Sequence, residues 1–278
     1  STLFPYTTLF RSMAKKRADV LLVEKGLIDS REKAKRLIME GKVFIGTDRV
    51  EKPGTQLKEE EKIYIKGLED SFVSRGGHKL EKMIDDYEID LRDAVCVDIG
   101  ASTGGFTHCM LKHGAKKVYA IDVGYNQLDY KLRMDERVVS LERTNIRYFD
   151  KGIIEEDVSF ISIDVSFISL ELVLPVAKDI LGPEGEIVAL VKPQFEAGKG
   201  KVGKGGIVRD KKVHIEVIEK IIDLAGELGL NIKALTNSPI KGTSGNIEFL
   251  IYLSNYGESS ETFDAKEIVN KAYENLND

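Results

Sequence analysis

Cysteine is scarce in this sequence, which has only Cys96 and Cys109 among its 278 residues. Neither belongs to a CxxC pair or to a Cys/His group with the spacing of a metal site, and the four histidines show no ligand spacing either. These absences exclude a disulfide-rich secreted scaffold and a zinc-finger type of protein. We therefore expect two buried thiols, no bound metal and a location in the reducing cytoplasm.

Long apolar runs are missing as well. The most apolar long window, residues 157–178, is interrupted by Asp164 and Glu171, whereas a membrane-spanning helix needs about 20 consecutive apolar residues. The sequence therefore predicts no membrane anchor. Hydrophobic residues nevertheless make up 42% of the chain, which is enough for a sizeable core, and the length favours two domains.

Basic residues are fewer than acidic residues, and the net charge is −5. The balance differs along the chain, because residues 14–66 carry a net charge of +4 and residues 67–278 carry −10. Neutralisation of phosphates by basic side chains drives nucleic-acid binding. The N-terminal part is therefore a candidate for contact with a polyanion.

Two short helices and a small sheet are predicted within residues 14–66. An apolar face at 18–23 predicts the first helix, and a second apolar stripe that stops at Gly41 predicts the next. Asp29 and Glu32 fit a capping box at the start of this second helix. Short apolar stretches predict strands at Val43–Ile45 and Ile63–Ile65.

The stretch RADVLLVEKGLIDSREKAKRLIMEGKVFIG, followed by VEKPGTQL, resembles the RNA-binding domain of the ribosomal-protein S-four type. The resemblance covers the whole predicted unit and implies binding of structured RNA. The phosphate contacts that it implies are Arg17, Ser30, Arg31, Lys33, Lys35 and Lys52. The alternative is that this charged helix face is merely solvated.

Strands and helices alternate after residue 70. Apolar runs predict strands at Val95–Ile99, 118–121, Val158–Ile163, 187–191, 232–235 and 249–253. Such alternation predicts an α/β, Rossmann-like sheet, mostly parallel, with helices on both faces and preceded by the small α+β domain. Ligands of these sheets bind beyond the carboxyl ends of the strands, so the residues after each run are the candidate site.

The first strand end carries DIGASTGGF at residues 98–106. Its glycines let the backbone approach a ligand closely, and the helix that follows offers free N–H groups. A dinucleotide-binding fingerprint would need glycine where Ser102 stands, so the spacing D-x-G-x-x-x-G-G instead resembles the first motif of S-adenosylmethionine-dependent methyltransferases. At the next strand end, Asp122 can accept hydrogen bonds from two ribose hydroxyls. The expected cofactor contacts are Asp98, Gly100, Ser102, Thr103, Gly104, Gly105, Phe106, Asp122, Asn145 and Ile146.

Four charged residues fall at the ends of elements in otherwise apolar surroundings, namely Lys79, Asp164, Lys192 and Glu248. Strand geometry places Asp164 and Lys192 on the ligand side of the sheet. Buried charges must be paired, because an unpaired one costs several kcal/mol. The four residues are therefore either a catalytic group or a structural pair of salt bridges.

The motifs RGGHKL, VDIGASTGGF, IDVSFISL, LVKPQFE and NIEF resemble, in this order, those of the TlyA family of haemolysin-named ribosomal RNA methyltransferases. The catalytic domain of that family is similar to FtsJ-type 2′-O-methyltransferases. The resemblance covers nearly all of residues 13–256 and implies that the four charged residues are the catalytic tetrad. It also implies S-adenosylmethionine as cofactor and cytidine ribose of 23S ribosomal RNA as substrate, with 16S ribosomal RNA as a second candidate and no DNA partner. One departure is the tetrapeptide at 70–73, which reads Asp-Ser-Phe-Val where better-known members have Arg-Ala-Trp-Val.

Four segments are then expected along the chain. Residues 1–12 show neither helical nor strand periodicity and precede Met13, which predicts a non-native tail without a part in the fold. Residues 13–66 form the RNA-binding domain, 67–75 the linker and 76–278 the methyltransferase domain. The Gly- and Lys-rich stretch at 196–209 predicts a mobile basic loop that meets RNA, or else a plain flexible linker. It lacks the serine or threonine of a phosphate-binding P-loop, since Gly205 occupies that position.

Methyl transfer to a 2′-oxygen requires that oxygen in line with the methyl group and a route for its proton. We expect Lys192, flanked by Asp164 and Glu248, to orient and help deprotonate the hydroxyl, and Lys79 to fix the neighbouring geometry. Two other classes stay open. A membrane-active haemolysin would need a membrane segment that is not found in the sequence, and an RNA-binding assembly factor would not need the tetrad and the cofactor loop together.

Overall fold

The computed structural model describes residues 15–276, with gaps at 26, 29, 47, 60, 62, 67–71, 199 and 260–261. The expected tail at 1–12, the expected capping residue Asp29 and the first part of the expected linker lie outside the described residues. The chain divides between residues 71 and 72 into two compact units.

The N-terminal unit combines two helices with short strands. Its elements are β1 (Lys15–Arg17), α1 (Ala18–Glu24), α2 (Arg31–Met39), β2 (Val43–Ile45), β3 (Asp48–Arg49), β4 (Gln56–Lys58) and β5 (Ile63–Ile65). Both predicted helices and both predicted strands are present. Strand β2 pairs with β3 and β5, and β1 pairs with β4, all antiparallel. Helix α2 is capped by Ser30, whose Oγ accepts a hydrogen bond from the Lys33 N–H at 3.3 Å.

The second unit is built on a seven-stranded sheet of order β11-β12-β10-β9-β6-β7-β8. Its strands are β6 (Val95–Ile99), β7 (Lys117–Ile121), β8 (Val138–Leu141), β9 (Val158–Ile163), β10 (Leu181–Val191), β11 (Asn231–Asn237) and β12 (Phe249–Ser254). Its helices are α3 (Gly77–Tyr87), α4 (Gly105–Lys112), α5 (Tyr130–Arg133), α6 (Leu170–Ile180), α7 (Pro193–Glu196), α8 (Lys211–Glu227) and α9 (Ala265–Leu276). The five strands β6, β7, β8, β9 and β10 run parallel to one another. Strand β12 is antiparallel to both of its neighbours, β10 and β11.

Helices cover both faces of this sheet. Successive strand residues point to opposite sides, so each face presents apolar side chains to the helices that pack on it. On one face Cys96 and Phe160 pack among side chains of α3 and α4. On the other, Val97 and Ile161 pack among side chains of α6, α8 and α9. The predicted α/β sheet with helices on both faces is thereby confirmed, and Cys96 and Cys109 are buried as free thiols, as expected.

Strand order reverses between β6 and β9, which lie side by side in the sheet although β7 and β8 come between them in the chain. Their carboxyl ends are therefore at the switch point of the sheet, where a crevice for a ligand forms. Both strands have long apolar stretches buried on both faces, as expected of central parallel strands.

Candidate functional site

Two cavities open at the carboxyl ends of the central strands. The smaller, of about 310 Å³, is lined by the loop after β6, the start of α3 and residues just before β12. The larger, of about 680 Å³, is lined by residues that follow β6, β7 and β9. Gly100, Ser102, Asp164 and Ser166 belong to both linings. The two cavities therefore adjoin at the switch point of the sheet.

The four charged residues predicted from the sequence all line the smaller cavity, where they form two ion pairs. Lys79 Nζ lies 2.6 Å from Glu248 Oε2. Lys192 Nζ lies 2.6 Å from Asp164 Oδ1 and donates a hydrogen bond to Ser166 Oγ at 3.1 Å. We expected Lys192 to lie between both carboxylates. In the structure each carboxylate takes one lysine instead, because Lys79 on α3 already neutralises Glu248.

Burial makes these pairs expensive to break. The side chains of Lys79 and Glu248 are only 9% and 3% exposed, and that of Lys192 is 11% exposed. Removing one member of a buried pair costs about 3 to 5 kcal/mol, because the remaining charge loses its counterion away from water. The ion pair with Lys192 is the contact that compensates the buried Oδ1 atom of Asp164.

The segment that carries Asp164 is held at both ends by residues that follow β10. Lys192 binds Asp164, and the buried Glu196 accepts hydrogen bonds from Ser169 Oγ at 2.6 Å and from the Leu170 N–H at 2.8 Å. Glu196 thus caps α6 from a distant part of the chain. The four residues between Asp164 and Ser169 are therefore anchored at both ends.

The loop after β6 passes close to this segment. Gly100 has a φ of +84°, and a Cβ atom there would lie 2.5 Å from the carbonyl oxygen of Asp164. Ser102 also has a positive φ, of 49°, and its N–H donates to Asp122 Oδ2 at 2.7 Å. The N–H groups of Gly105 and Phe106 at the start of α4 have no acceptor within the described part of the chain. They are therefore available to an anionic group of a ligand.

Asp98 has a different place from the one expected of a cofactor contact. It lies in the wall of the smaller cavity, but its carboxylate is fully buried. One oxygen accepts hydrogen bonds from the Thr107 N–H and Oγ1, at 2.8 and 2.6 Å, and the other from Ser162 Oγ at 3.0 Å. Burial raises the pKa of Asp98 to about 6 in spite of these bonds. Asp98 thus fixes the loop from beneath.

The other expected cofactor residues separate between the cavities. Asp122, Asn145 and Ile146 line the larger one, and Thr103, Gly105 and Phe106 line the smaller one. Asp122 also accepts from the Gly124 N–H at 2.7 Å, and Asn145 Oδ1 accepts from the Arg147 N–H at 3.1 Å. Gly104 lines neither cavity, because it packs against Leu132, with which a Cβ at 104 would overlap.

The expected RNA contacts of the N-terminal unit include two arginines that share one buried partner. Arg17 Nε lies 3.0 Å from Asp19 Oδ1, and Arg31 Nη2 lies 3.0 Å from Asp19 Oδ2. Hydrogen bonds from Arg17 hold the pKa of Asp19 at about 2. Lys35 pairs with Glu32, Lys52 is exposed, and Ser30 serves as the cap of α2. Asp19, which aligns the two arginines, was not predicted from the sequence.

A further side chain missed by sequence analysis is Phe167, which lines the larger cavity. It is 91% exposed and has a φ of +64°, a conformation that an aromatic residue adopts at a cost. Its ring lies 5.0 Å from that of Phe195. The signal in the sequence was an aromatic residue directly after a strand end, within the quoted motif IDVSFISL.

Within the residues that the structure describes, no group of histidine, cysteine and acidic side chains could hold a metal ion. Among those same residues, no helix is both long and apolar enough to cross a membrane.

Comparison with known proteins assigns both units. The FtsJ-like methyltransferase family matches residues 72–255, and the S4 domain family matches residues 16–63. A Bacillus subtilis (strain 168) protein named as an rRNA methyltransferase, YqxC, is 50% identical over 275 residues, which cover 94% of this chain and 95% of that protein. The 16S/23S rRNA (cytidine-2′-O)-methyltransferase TlyA of Mycobacterium tuberculosis (strain H37Rv) is 40% identical over 245 residues, which cover 85% of this chain and 89% of that protein. A solved structure of a hemolysin-named protein from Streptococcus thermophilus superposes with a TM-score of 0.72 at 46% identity. The superposition covers 96% of this chain and 98% of that one.

Proposed function

We propose that this chain, which belongs to the FtsJ-like methyltransferase family, transfers the methyl group of S-adenosylmethionine to a ribose 2′-oxygen of ribosomal RNA. The observation that carries the proposal is the tetrad. Two buried lysine–carboxylate pairs line the smaller cavity where it adjoins the larger one.

The described residues fit S-adenosylmethionine. Gly100 keeps the loop after β6 free of a side chain, and the N–H groups of Gly105 and Phe106 suit a carboxylate. Each oxygen of Asp122 accepts one backbone N–H and keeps a lone pair for a ribose hydroxyl. When bound, the cofactor supplies an electrophilic sulfonium methyl. The residues that would contact the cofactor are Gly100, Ser102, Thr103, Gly105, Phe106, Asp122, Asn145 and Ile146. Asp98 and Gly104 would act indirectly, by fixing the conformation of the loop after β6.

Lys192 is the residue assigned to the reacting oxygen. Asp164 and Ser166 fix its ammonium group at the cavity wall, where it donates a hydrogen bond to the 2′-hydroxyl. Its positive charge stabilises the negative charge that develops on this oxygen as the hydroxyl proton passes to solvent water and the oxygen takes the methyl group, with S-adenosylhomocysteine as the other product. Lys79 and Glu248 form the opposite pair and hold the neighbouring geometry. Positioning of the oxygen by fixed groups then lowers the barrier.

RNA contacts are assigned to both units. In residues 13–66, the RNA-binding domain, Arg17, Ser30, Arg31, Lys33, Lys35 and Lys52 are the proposed phosphate contacts. After the linker at 67–75, the methyltransferase domain at 76–278 contributes the basic loop at 197–209 and the exposed ring of Phe167, on which a base can stack. Only RNA carries the 2′-hydroxyl, so DNA is not a substrate.

The names of the relatives support the target. The Mycobacterium tuberculosis relative is named for cytidine 2′-O-methylation of 16S and 23S rRNA. We assign cytidine ribose of 23S ribosomal RNA as the substrate here, with 16S as the second candidate, and a cytoplasmic location because ribosomes are there.

Methyl transfer from labelled S-adenosylmethionine to purified ribosomal subunits tests the proposal. We expect label in RNA, at one or a few cytidines whose ribose resists alkaline cleavage on the 3′ side. Lys192→Ala serves as the inactive control, and Lys116→Gln, at an exposed lysine before β7, as the active one. Label on a base or in protein, or no label with every subunit preparation, would contradict the proposal.

A further inference from the structure

A tight turn at residues 241–245, which we name the 241–245 turn, forms part of the rim of the smaller cavity. Ile240, Lys241, Gly242 and Thr243 line that cavity. Within the turn the Gly245 N–H donates to the Gly242 carbonyl at 2.8 Å, and Gly245 has a φ of +87°. The turn lies against the tetrad, because a Cβ at Gly242 would overlap Glu248 Oε1.

The base of this turn is fixed by Asn246, which is 1% exposed. Its carbonyl accepts from the Gly242 N–H at 2.9 Å. Its side chain accepts from the Val208 N–H at 3.0 Å and donates to the Gly206 carbonyl at 2.9 Å. The turn is therefore held in one conformation and is tied to the end of the basic loop.

Several hydrogen-bond donors of the 241–245 turn have no partner in the described part of the chain. Lys241 and Thr243 are exposed at the rim of the cavity, and among the described residues Lys241 has no acidic partner within ion-pair distance and the N–H and hydroxyl groups of Thr243 have no acceptor in the protein. Lys79 and Lys192, by contrast, are each neutralised by a carboxylate. The turn is thus a wall of the cavity with an uncompensated positive charge and several free donors, which together favour an anion.

The proposed reaction brings an anion to this place. The ribose 2′-hydroxyl adjoins the phosphodiester on the 3′ side of the same nucleotide, so a 2′-oxygen held at Lys192 carries that phosphate into the cavity with it. The charges of Lys79 and Lys192 are already balanced by Glu248 and Asp164, and the free N–H groups of α4 are assigned above to the carboxylate of the cofactor. The 241–245 turn is the wall beside Glu248 that offers a cation together with N–H donors.

We propose that the 241–245 turn is a phosphate-binding subsite, in which Lys241 and the donors of Thr243 hold the RNA backbone phosphate next to the reacting ribose. This inference rests on the proposed function. It assigns the turn a role in placing the 2′-oxygen, in addition to the binding of RNA by the N-terminal unit.

Lys241→Gln tests the subsite in the full chain, with Lys116→Gln as the matched control at an exposed lysine. Lys116 directly precedes β7 and so lies at the amino ends of the parallel strands, whereas the cavities lie at their carboxyl ends. For Lys241→Gln we expect the KM for ribosomal RNA to rise about fivefold to tenfold. The slope of log Kd for RNA against log salt concentration should fall by roughly 0.7 to 0.9, the value of one phosphate contact. Lys241→Arg should keep most of the wild-type KM, and affinity for S-adenosylmethionine should not change.

Two results would overturn the subsite. The first is a KM and a salt slope equal to those of the Lys116→Gln control. The second is a loss of S-adenosylmethionine affinity with an unchanged salt slope, which would assign Lys241 to the carboxylate of the cofactor. If the wild-type chain bound RNA but transferred no methyl group, the proposed function would fail, and the RNA salt slopes of the two variants would still decide on the subsite.

Discussion

Gly100 lies so close to Asp164 that a Cβ atom at position 100 would be 2.5 Å from the Asp164 carbonyl oxygen. The two residues follow the neighbouring strands β6 and β9, and the Asp164 N–H donates to the Ile99 carbonyl at 2.9 Å. One of them belongs to the proposed cofactor loop and the other to the tetrad. The cofactor loop and the catalytic group are therefore parts of one packed unit.

Gly100→Ala should impair both cofactor binding and methyl transfer. The new methyl group would overlap the backbone carbonyl of Asp164, which must shift, and a φ of +84° is strained for alanine. We expect S-adenosylmethionine affinity, measured by calorimetry, to fall at least tenfold. Gly226→Ala is the matched control, since nothing lies within 4 Å of a Cβ built there in α8. Tight cofactor binding and normal turnover by Gly100→Ala would refute this coupling.

Asp98→Asn should remove a pH dependence of stability. The pKa of Asp98 is raised by burial to about 6 from an ordinary 3.8, so the unfolded chain loses this proton first. Stability from Asp98 is therefore full below about pH 4 and declines as pH rises through 6. Between pH 4 and pH 8, the free energy of unfolding of the wild type should fall by about 3 kcal/mol relative to Asp98→Asn. Urea unfolding of both proteins across this range measures the difference, and a constant difference would contradict the assignment.

Phe167→Ala should weaken RNA binding without affecting the fold, because the ring is 91% exposed. Stacking of a base on an aromatic side chain contributes about 1 to 3 kcal/mol. We expect the KM for ribosomal RNA to rise about tenfold or more, while Phe167→Tyr stays near the wild type. Steady-state kinetics with a thermal melt of each variant provides the check. Equal KM values for the alanine and tyrosine variants would show that the ring does not touch the substrate.

Arg31→Gln combined with Lys35→Gln should lower the salt dependence of RNA binding. Each lost phosphate contact reduces the slope by roughly 0.7 to 0.9. Glutamine at 31 leaves Asp19 paired with Arg17, so the N-terminal unit should stay folded. Binding titrations at several salt concentrations measure the slope, and cofactor affinity is the internal control. A slope equal to that of the wild type would mean that this helix face meets only solvent.

The sequence predicted six of the seven strands of the large sheet, because buried strands are continuous apolar runs bounded by glycine and charge. It missed β8, an edge strand whose four residues are all only partly buried. It also predicted which four charged residues line one cavity, since each stands at the end of an element. It did not predict that Lys79 would pair with Glu248, because that choice depends on how α3 meets β12 across 169 positions of sequence. Strands β1 and β4 have only three residues each and lack a periodic signal. Phe167 and the 241–245 turn were missed because their exposure and free donors are properties of tertiary packing.

Single-turnover methylation of ribosomal subunits by Lys192→Ala, compared with its thermal melt, tests the central claim most directly. If Lys192 acts on the 2′-oxygen, its contribution is concentrated in the transition state. The variant should then bind S-adenosylmethionine and RNA, and its rate constant should fall by a factor of about a thousand or more. Loss of the ammonium also leaves Asp164 without its counterion, so some loss of stability is expected as well, and the assay is run well below the melting temperature of the variant. A folded Lys192→Ala protein that methylates at close to the wild-type rate would contradict the account.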